Sequence, residues 1–264
     1  MIRFRRPGAA NGVIVTDSSR KIDLGTHALR VHETGSGGAT FVCLPGFLDD
    51  ASVWTGVAAA LADAGRVVCV QQRAHGDSTA PEGSCSLDGL AADVVQLLDA
   101  LGIARAVLVG HALGGLVAAK TALAAPDRVA GLVLVSAFAE LDGRAAADWR
   151  HVVRAGEVNR LQGLARSIFG PTSTREVDGD GIGLTEIARA VHALGAQPVT
   201  AQLAAIRCPV VILAGERDPG GTAAARILAG AIPGARLEVV AQQGDAPHTG
   251  APAAVANAVR SIAG

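Results

Sequence analysis

A chain of 264 residues is long enough to bury one sizeable core, and half of its residues are hydrophobic. Lys and Arg number 23 and Asp and Glu 24, a net charge of −1. With no basic stripe beyond Arg3, Arg5 and Arg6, this balance argues against nucleic acid or an acidic membrane as a partner. No apolar run reaches signal-peptide or membrane-spanning length, so a soluble cytoplasmic protein is expected. Cys43, Cys69, Cys85 and Cys208 lack metal-ligand spacing, and three of them lie in or beside apolar, strand-like runs and read as buried free thiols, as fits a reducing compartment.

Taken in chain order, segments near 12–16 and 27–33 read as an antiparallel hairpin at a sheet edge. Residues 40–44 form a short apolar strand stopped by Pro45-Gly46, followed by helix-period apolar positions over 51–64. A strand is expected at 66–70. An amphipathic helix over 87–101 carries Leu87, Leu90, Val94, Leu97, Leu98 and Leu101 on one face. Residues 106–110 are a strand, then come a glycine-rich turn, a helix to about 125 stopped near Pro126, and a strand at 129–135. Residues 139–205 change rhythm. They are polar, partly helical and broken at Gly170-Pro171 and Gly179-Asp180-Gly181, so they read as a lid insertion. Strands at 209–214 and 236–241 then alternate with helices at 221–231 and 252–262. Continuous apolar strands alternating with helices imply an α/β fold with a mostly parallel central sheet, covered on both faces. The expected organisation is a core of 1–138 and 206–264 with the lid at 139–205.

The chemistry concentrates where strand 106–110 meets the next helix. Gly110-His111-Ala112-Leu113-Gly114 has the frame of Gly-x-Ser-x-Gly, a sharp strand-to-helix turn that lifts a serine hydroxyl above a parallel sheet. Here the central residue is alanine. Three other segments carry the same likeness in order: Leu44-Pro45-Gly46-Phe47 followed by Trp54, Arg73-Ala74-His75-Gly76-Asp77-Ser78, and Gly215-Glu216-Arg217-Asp218-Pro219. On these motifs the chain, over roughly residues 25–262, resembles the α/β-hydrolase superfamily. The resemblance implies the α/β-hydrolase fold with a helical lid and an oxyanion hole formed by the amides of Phe47 and Leu113. It places the nucleophile position at Ala112, vacant, and the acid at Asp218.

The histidine position is ambiguous. The proline frame of Gly244-Asp245-Ala246-Pro247-His248-Thr249-Gly250-Ala251-Pro252 aligns Asp245 with the family histidine, while His248 lies three residues further on. If Asp245 stands there, it should face Asp218 as a carboxylate pair able to share a proton. The bland alternatives are that Asp218 caps the following helix and that Asp245 is a solvated loop residue. His248 is the alternative base, or else an exposed loop residue or substrate contact.

Other residues carry weaker signals. Trp149 and His151 open the lid and are candidate substrate contacts, with Trp149 equally a packing anchor. His111 is a further substrate-side candidate, although this position is expected to point away from the pocket. Asp49 and Asp50 read as solvated loop carboxylates or as partners of a polar substrate group. Ser136 ends a strand without the strained turn that activates a nucleophile. His75 reads as structural and Cys43 as core. Gln71-Gln72 replace a charge and receive no role.

A vacant nucleophile beside an intact oxyanion hole points to non-hydrolytic acid–base chemistry, such as that of a lyase, isomerase or cyclase, on a small apolar carbonyl metabolite. Two alternatives share the sequence: a serine esterase whose serine has been exchanged for Ala112, and a non-catalytic ligand binder. No phosphate loop, dinucleotide fingerprint or metal cluster is visible, so no cofactor and no metal are expected. The expected partner is a small molecule, and the oligomeric state is unreadable.

Overall fold

The structure, a computed structural model, describes residues 18–81, 85–173 and 175–263. β1 (Ser18–Asp23) and β2 (Ala28–Leu44) form an antiparallel hairpin at one sheet edge, with Ser18 opposite Glu33 and Asp23 opposite Ala28. The hairpin's first strand thus begins at 18, whereas the expected 12–16 lies outside the described residues. β2 is long because it serves two neighbours. Its partners on β3 (Gly65–Gln71) descend from Arg30↔Gln71 to Thr34↔Val67, then rise together from Thr40↔Arg66 to Cys43↔Cys69. The chain reverses its sense against β3 around Gly35, Gly37 and Gly38, all at positive φ. A Cβ on Gly35 would stand 2.1 Å from the Gly65 carbonyl oxygen, so only glycine fits that crossing.

From there the sheet is parallel: β2, β4 (Ala106–His111), β5 (Val129–Val135), β6 (Val210–Gly215) and β7 (Arg236–Val240) follow in that order. Helices fill both faces, and the strands alternate accordingly. Val42, Leu44, Leu108, Leu132 and Ile212 join a core with α2 (Leu87–Ala100), α3 (Leu113–Ala124) and α6 (Pro219–Ala231). Phe41, Cys43, Val107, Val109, Val133 and Val211 join the opposite core with α1 (Thr55–Leu61) and α8 (Pro252–Arg260). Each strand is apolar on both sides because it has helices on both sides.

Between β5 and β6 the chain runs through α4 (Gly143–Phe169) and α5 (Gly181–His192). α4 bends at Arg160, whose φ of 49° breaks the helical path, and ends before Gly170-Pro171. α7 (Pro247–Gly250) is a short helix between β7 and α8, where a loop is expected from the sequence. Residues 51–64 likewise divide, into a 3₁₀ turn over Ala51–Trp54 capped by Asp50 and then α1. No described helix is long and apolar enough to cross a membrane.

Candidate functional site

β4 ends at His111, and Ala112 turns the chain into α3 with φ 47° and ψ −110°. An L-residue is strained there. Crowding holds the bend. A Cβ on Gly110 would meet the Gly114 carbonyl oxygen at 2.3 Å, one on Gly114 the Leu44 carbonyl oxygen at 2.1 Å, and one on Gly115 the Ala137 Cβ at 2.5 Å. The Ala112 amide donates to the Val135 carbonyl at 2.9 Å, which ties the bend to β5. The bend of Gly-x-Ser-x-Gly is present, with a methyl group where the hydroxyl would stand.

Beside Ala112 the amides of Phe47 and Leu113 meet no acceptor among the described residues. Leu113 opens α3, so its amide adds to the positive helix end. The Phe47 loop is held from below. His75 Nδ1 donates to the Arg73 carbonyl at 3.0 Å, leaving its Nε2 to accept the Leu48 amide at 3.1 Å. Burial pushes the His75 pKa below the ordinary imidazole value, against opposing contributions from the Arg73 carbonyl and Asp49, so the ring is neutral as this bonding requires. Gln72 Nε2 donates to the Pro45 carbonyl at 2.8 Å, and Gln71 Oε1 accepts the Asp77 amide at 3.3 Å. These amides are the role that sequence left unassigned: Gln72 ties the end of β3 to the Pro45–Phe47 loop, and Gln71 braces the turn that follows β3. Arg73 itself forms a buried two-point pair with Asp93 of α2, and His27 Nε2 lies 2.9 Å from Asp93 Oδ1.

A cavity of about 310 Å³ opens above the bend. Ala112, Ser136, Asp218, Asp245 and His248 line it from the strand ends, and Trp149, Phe169 and Arg175 from the segment between β5 and β6. Asp218 is half-buried and caps α6, its Oδ1 accepting the Gly221 amide at 3.0 Å. Asp245 is exposed. Among the described residues no hydrogen bond joins these two carboxylates, so the expected proton-sharing pair is not formed.

His248 is buried, not an exposed loop residue, with 1% of its surface accessible. It pairs with no carboxylate within 4 Å among the described residues, Asp218 included. Its ring lies 4.7 Å from Trp54 and 4.2 Å from His111, centroid to centroid. Burial and the neighbouring His111 push its pKa down to about 3, against the opposing pull of Asp49. His111 also faces the cavity, contrary to the expectation that it would point away. Its Nε2 donates to the Asp245 carbonyl at 3.0 Å, and its Nδ1 stands 3.5 Å from Asp49 Oδ2.

Asp49 is not a solvated loop carboxylate, because its side chain is only 12% exposed. Burial alone would raise its pKa, but His111 and Arg175 outweigh that and hold it below the ordinary carboxylate value. Arg175 reaches Asp49 Oδ1 at 2.5 Å while lying 4.2 Å over the Phe169 ring. Sequence reasoning missed Arg175, which meets Asp49 across 126 residues with no local pattern to mark it. Ser136 also departs from expectation. It has φ 46°, lines the cavity, and its buried Oγ has no hydrogen-bond partner. The strain is visible only in the backbone. Trp149 packs its ring 5.3 Å from Phe47, and His151 lies in an adjoining depression with Trp149, Val152 and Ile168.

The fold has known relatives. A family model described as alpha/beta hydrolase fold matches residues 39–177. Epoxide hydrolase A of Mycobacterium tuberculosis is 42% identical over 123 residues, which are 45% of this chain and 38% of that enzyme. The 3-oxoadipate enol-lactonase 2 of Acinetobacter baylyi is 29% identical over 186 residues, 66% of this chain and 69% of that one. The chain spans less than half the length of the first curated relatives it matches. The crystal structure of a hydrolase from Pseudomonas aeruginosa PA01 superposes with a TM-score of 0.81 at 26% identity, covering 94% of this chain and 98% of that one. With its parallel sheet, its glycine-framed bend after β4 and a family model matched across more than half its length, the chain belongs to the α/β-hydrolase fold family.

Proposed function

We propose that this protein is an enzyme that binds a small, mostly apolar carbonyl compound in the cavity above Ala112 and carries out proton transfer on it without an acyl-enzyme. The carbonyl oxygen sits in the cradle of the Phe47 and Leu113 amides. These donors stabilise the enolate or alkoxide as charge develops. The methyl of Ala112 leaves room beside the cradle for the substrate carbon that a serine would attack. Asp218 and Asp245, both on the cavity wall, are the groups assigned to take and return the proton. Phe47, Trp149 and Phe169 supply the apolar contacts. We assign the α4–α5 segment the part of a lid that keeps water from the charged intermediate.

One observation carries this reading. The bend is kept under strain, with glycines that tolerate no side chain, yet it presents a methyl group to an oxyanion cradle. The separation of His248 from Asp218 supports it, because a serine there would lack the oriented base that activates it.

Proton NMR in D₂O with cyclohexanone and δ-valerolactone as probes tests the reading. The protein should exchange the α-protons of cyclohexanone and leave the lactone unopened, and Asp218→Asn or Asp245→Asn should slow the exchange by about 100-fold or more. The name of the Acinetobacter baylyi relative favours a second reading, hydrolysis of a small lactone. Lactone opening without α-proton exchange would establish that reading in place of the first.

A further inference from the structure

We propose that Asp49, His111 and His248 form a binding site for one divalent cation of the zinc class on the inner wall of the cavity. Each residue offers one ligand atom, and these atoms lie within 4.8 Å of one another. They come from the loop after β2, the end of β4 and α7, so only the tertiary fold assembles them.

The distances fit a cation better than they fit direct bonding. Asp49 Oδ2 and His111 Nδ1 stand 3.5 Å apart, too far for a good hydrogen bond, and Nδ1 has no hydrogen-bond partner. In a tetrahedral site with bonds of about 2.0–2.1 Å, neighbouring ligand atoms lie about 3.4 Å apart. The aspartate and histidine are therefore already at ligand spacing. His248 must close by up to about 1.4 Å to complete the set, a shift that tilting the ring can supply. Its Nδ1 is buried and also lacks a hydrogen-bond partner. One ring nitrogen of His248 lies within 4.8 Å of the facing Asp49 and His111 atoms, and two buried, unpartnered ring nitrogens in so small a cluster are costly unless something binds there.

The outer contacts have the form that orients metal ligands. A carbonyl can only accept, so His111 Nε2 carries a proton toward Asp245, and Nδ1 is the ring atom that faces Asp49 Oδ2 and is placed to take a metal. Arg175 holds Asp49 through Oδ1 and leaves Oδ2 facing His111. Gly46 keeps the adjoining space open, since a Cβ there would lie 2.8 Å from both Asp49 Oδ2 and His111 Nδ1. Two imidazoles and one carboxylate suit Zn²⁺, Co²⁺ or Ni²⁺ better than Ca²⁺ or Mg²⁺. Three protein ligands would leave a fourth position open to the cavity.

The inference does not depend on the proposed reaction, and its test is binding alone. The chelator-treated full chain is titrated with ZnCl₂ by calorimetry and with CoCl₂ by visible absorption. The expected result is one equivalent bound with a Kd below about 10 µM and the intense absorption of tetrahedral Co²⁺. Asp49→Asn and His248→Gln should each weaken binding at least tenfold, while His192→Gln on α5 leaves it unchanged. Circular dichroism establishes that the variants are folded. Absence of stoichiometric binding by the unmodified chain overturns the proposal before any variant is needed. Binding that survives both ligand substitutions, or an octahedral Co²⁺ spectrum, overturns it as well.

Discussion

Ala112 occupies a backbone region where a Cβ is strained and glycine is at ease. Relief of that strain is worth roughly 1–3 kcal/mol, against about 0.4–1 kcal/mol for the greater freedom of an unfolded glycine. Ala112→Gly should therefore raise the unfolding free energy by about 1 kcal/mol in urea titration; a loss of similar size would show that the bend is relaxed. The vacant position itself was legible in sequence, because the glycine frame around it names the turn. Ser136 was not legible in this way. Its positive φ comes from the exit of β5 beside β4 and β6, where its amide donates to the Leu213 carbonyl. Asp49 illustrates the same limit. An aspartate after a proline-glycine loop reads as solvated until Arg175 and His111 arrive from distant segments to cover it.

The elements around the site are held by close backbone approach rather than by side-chain bulk. α3 can start directly above the sheet only because Gly114 lets the Leu44 carbonyl come near. Gly114→Ala should cost about 3 kcal/mol or more, or prevent folding, since the Leu44 carbonyl that an added Cβ would meet is backbone and cannot swing aside. Gly143→Ala is the control. It opens α4 with nothing within 4 Å of an added Cβ, and should stabilise by at most about 1 kcal/mol. Thermal melts of the two variants should move in opposite directions. The strands and most helices were readable from period and breakers: β4, α2 and β5 lie where the apolar pattern puts them, and Ser86 caps α2 through the Gly89 amide. α7 escaped notice because four residues between two prolines carry no periodicity. The double pairing of β2 was also hidden, since a reversal of sense against β3 leaves no mark in an apolar run.

At the scale of the whole molecule, burial of neutral histidines makes stability depend on pH. His248 is pushed down to about 3 and His75 is also lowered, while both recover the ordinary imidazole value on unfolding. The unfolded chain then binds more protons as pH falls below about 6.5, so stability drops in that direction. His248 alone should remove about 2 kcal/mol between pH 7 and pH 5, and His75 adds a loss of the same sign. Asp49, held below the ordinary carboxylate value, contributes stability that is lost only below about pH 4. Urea titrations of the chelator-treated protein at pH 7, 6 and 5 should show this decline, and His248→Gln should flatten it; a stability independent of pH across that interval would contradict a buried neutral ring.

The amino-acid sequence by itself determined the layered α/β architecture and the turn at Ala112, because periodicity and glycine spacing are local properties that survive in one dimension. Only the tertiary structure decided which charged and aromatic side chains share the cavity. His248 stacks between Trp54 and His111, and Asp49 is enclosed by Arg175, through contacts between residues far apart in the chain. Such contacts follow from how sheet, helices and the segment between β5 and β6 pack together, and no spacing along the chain encodes them.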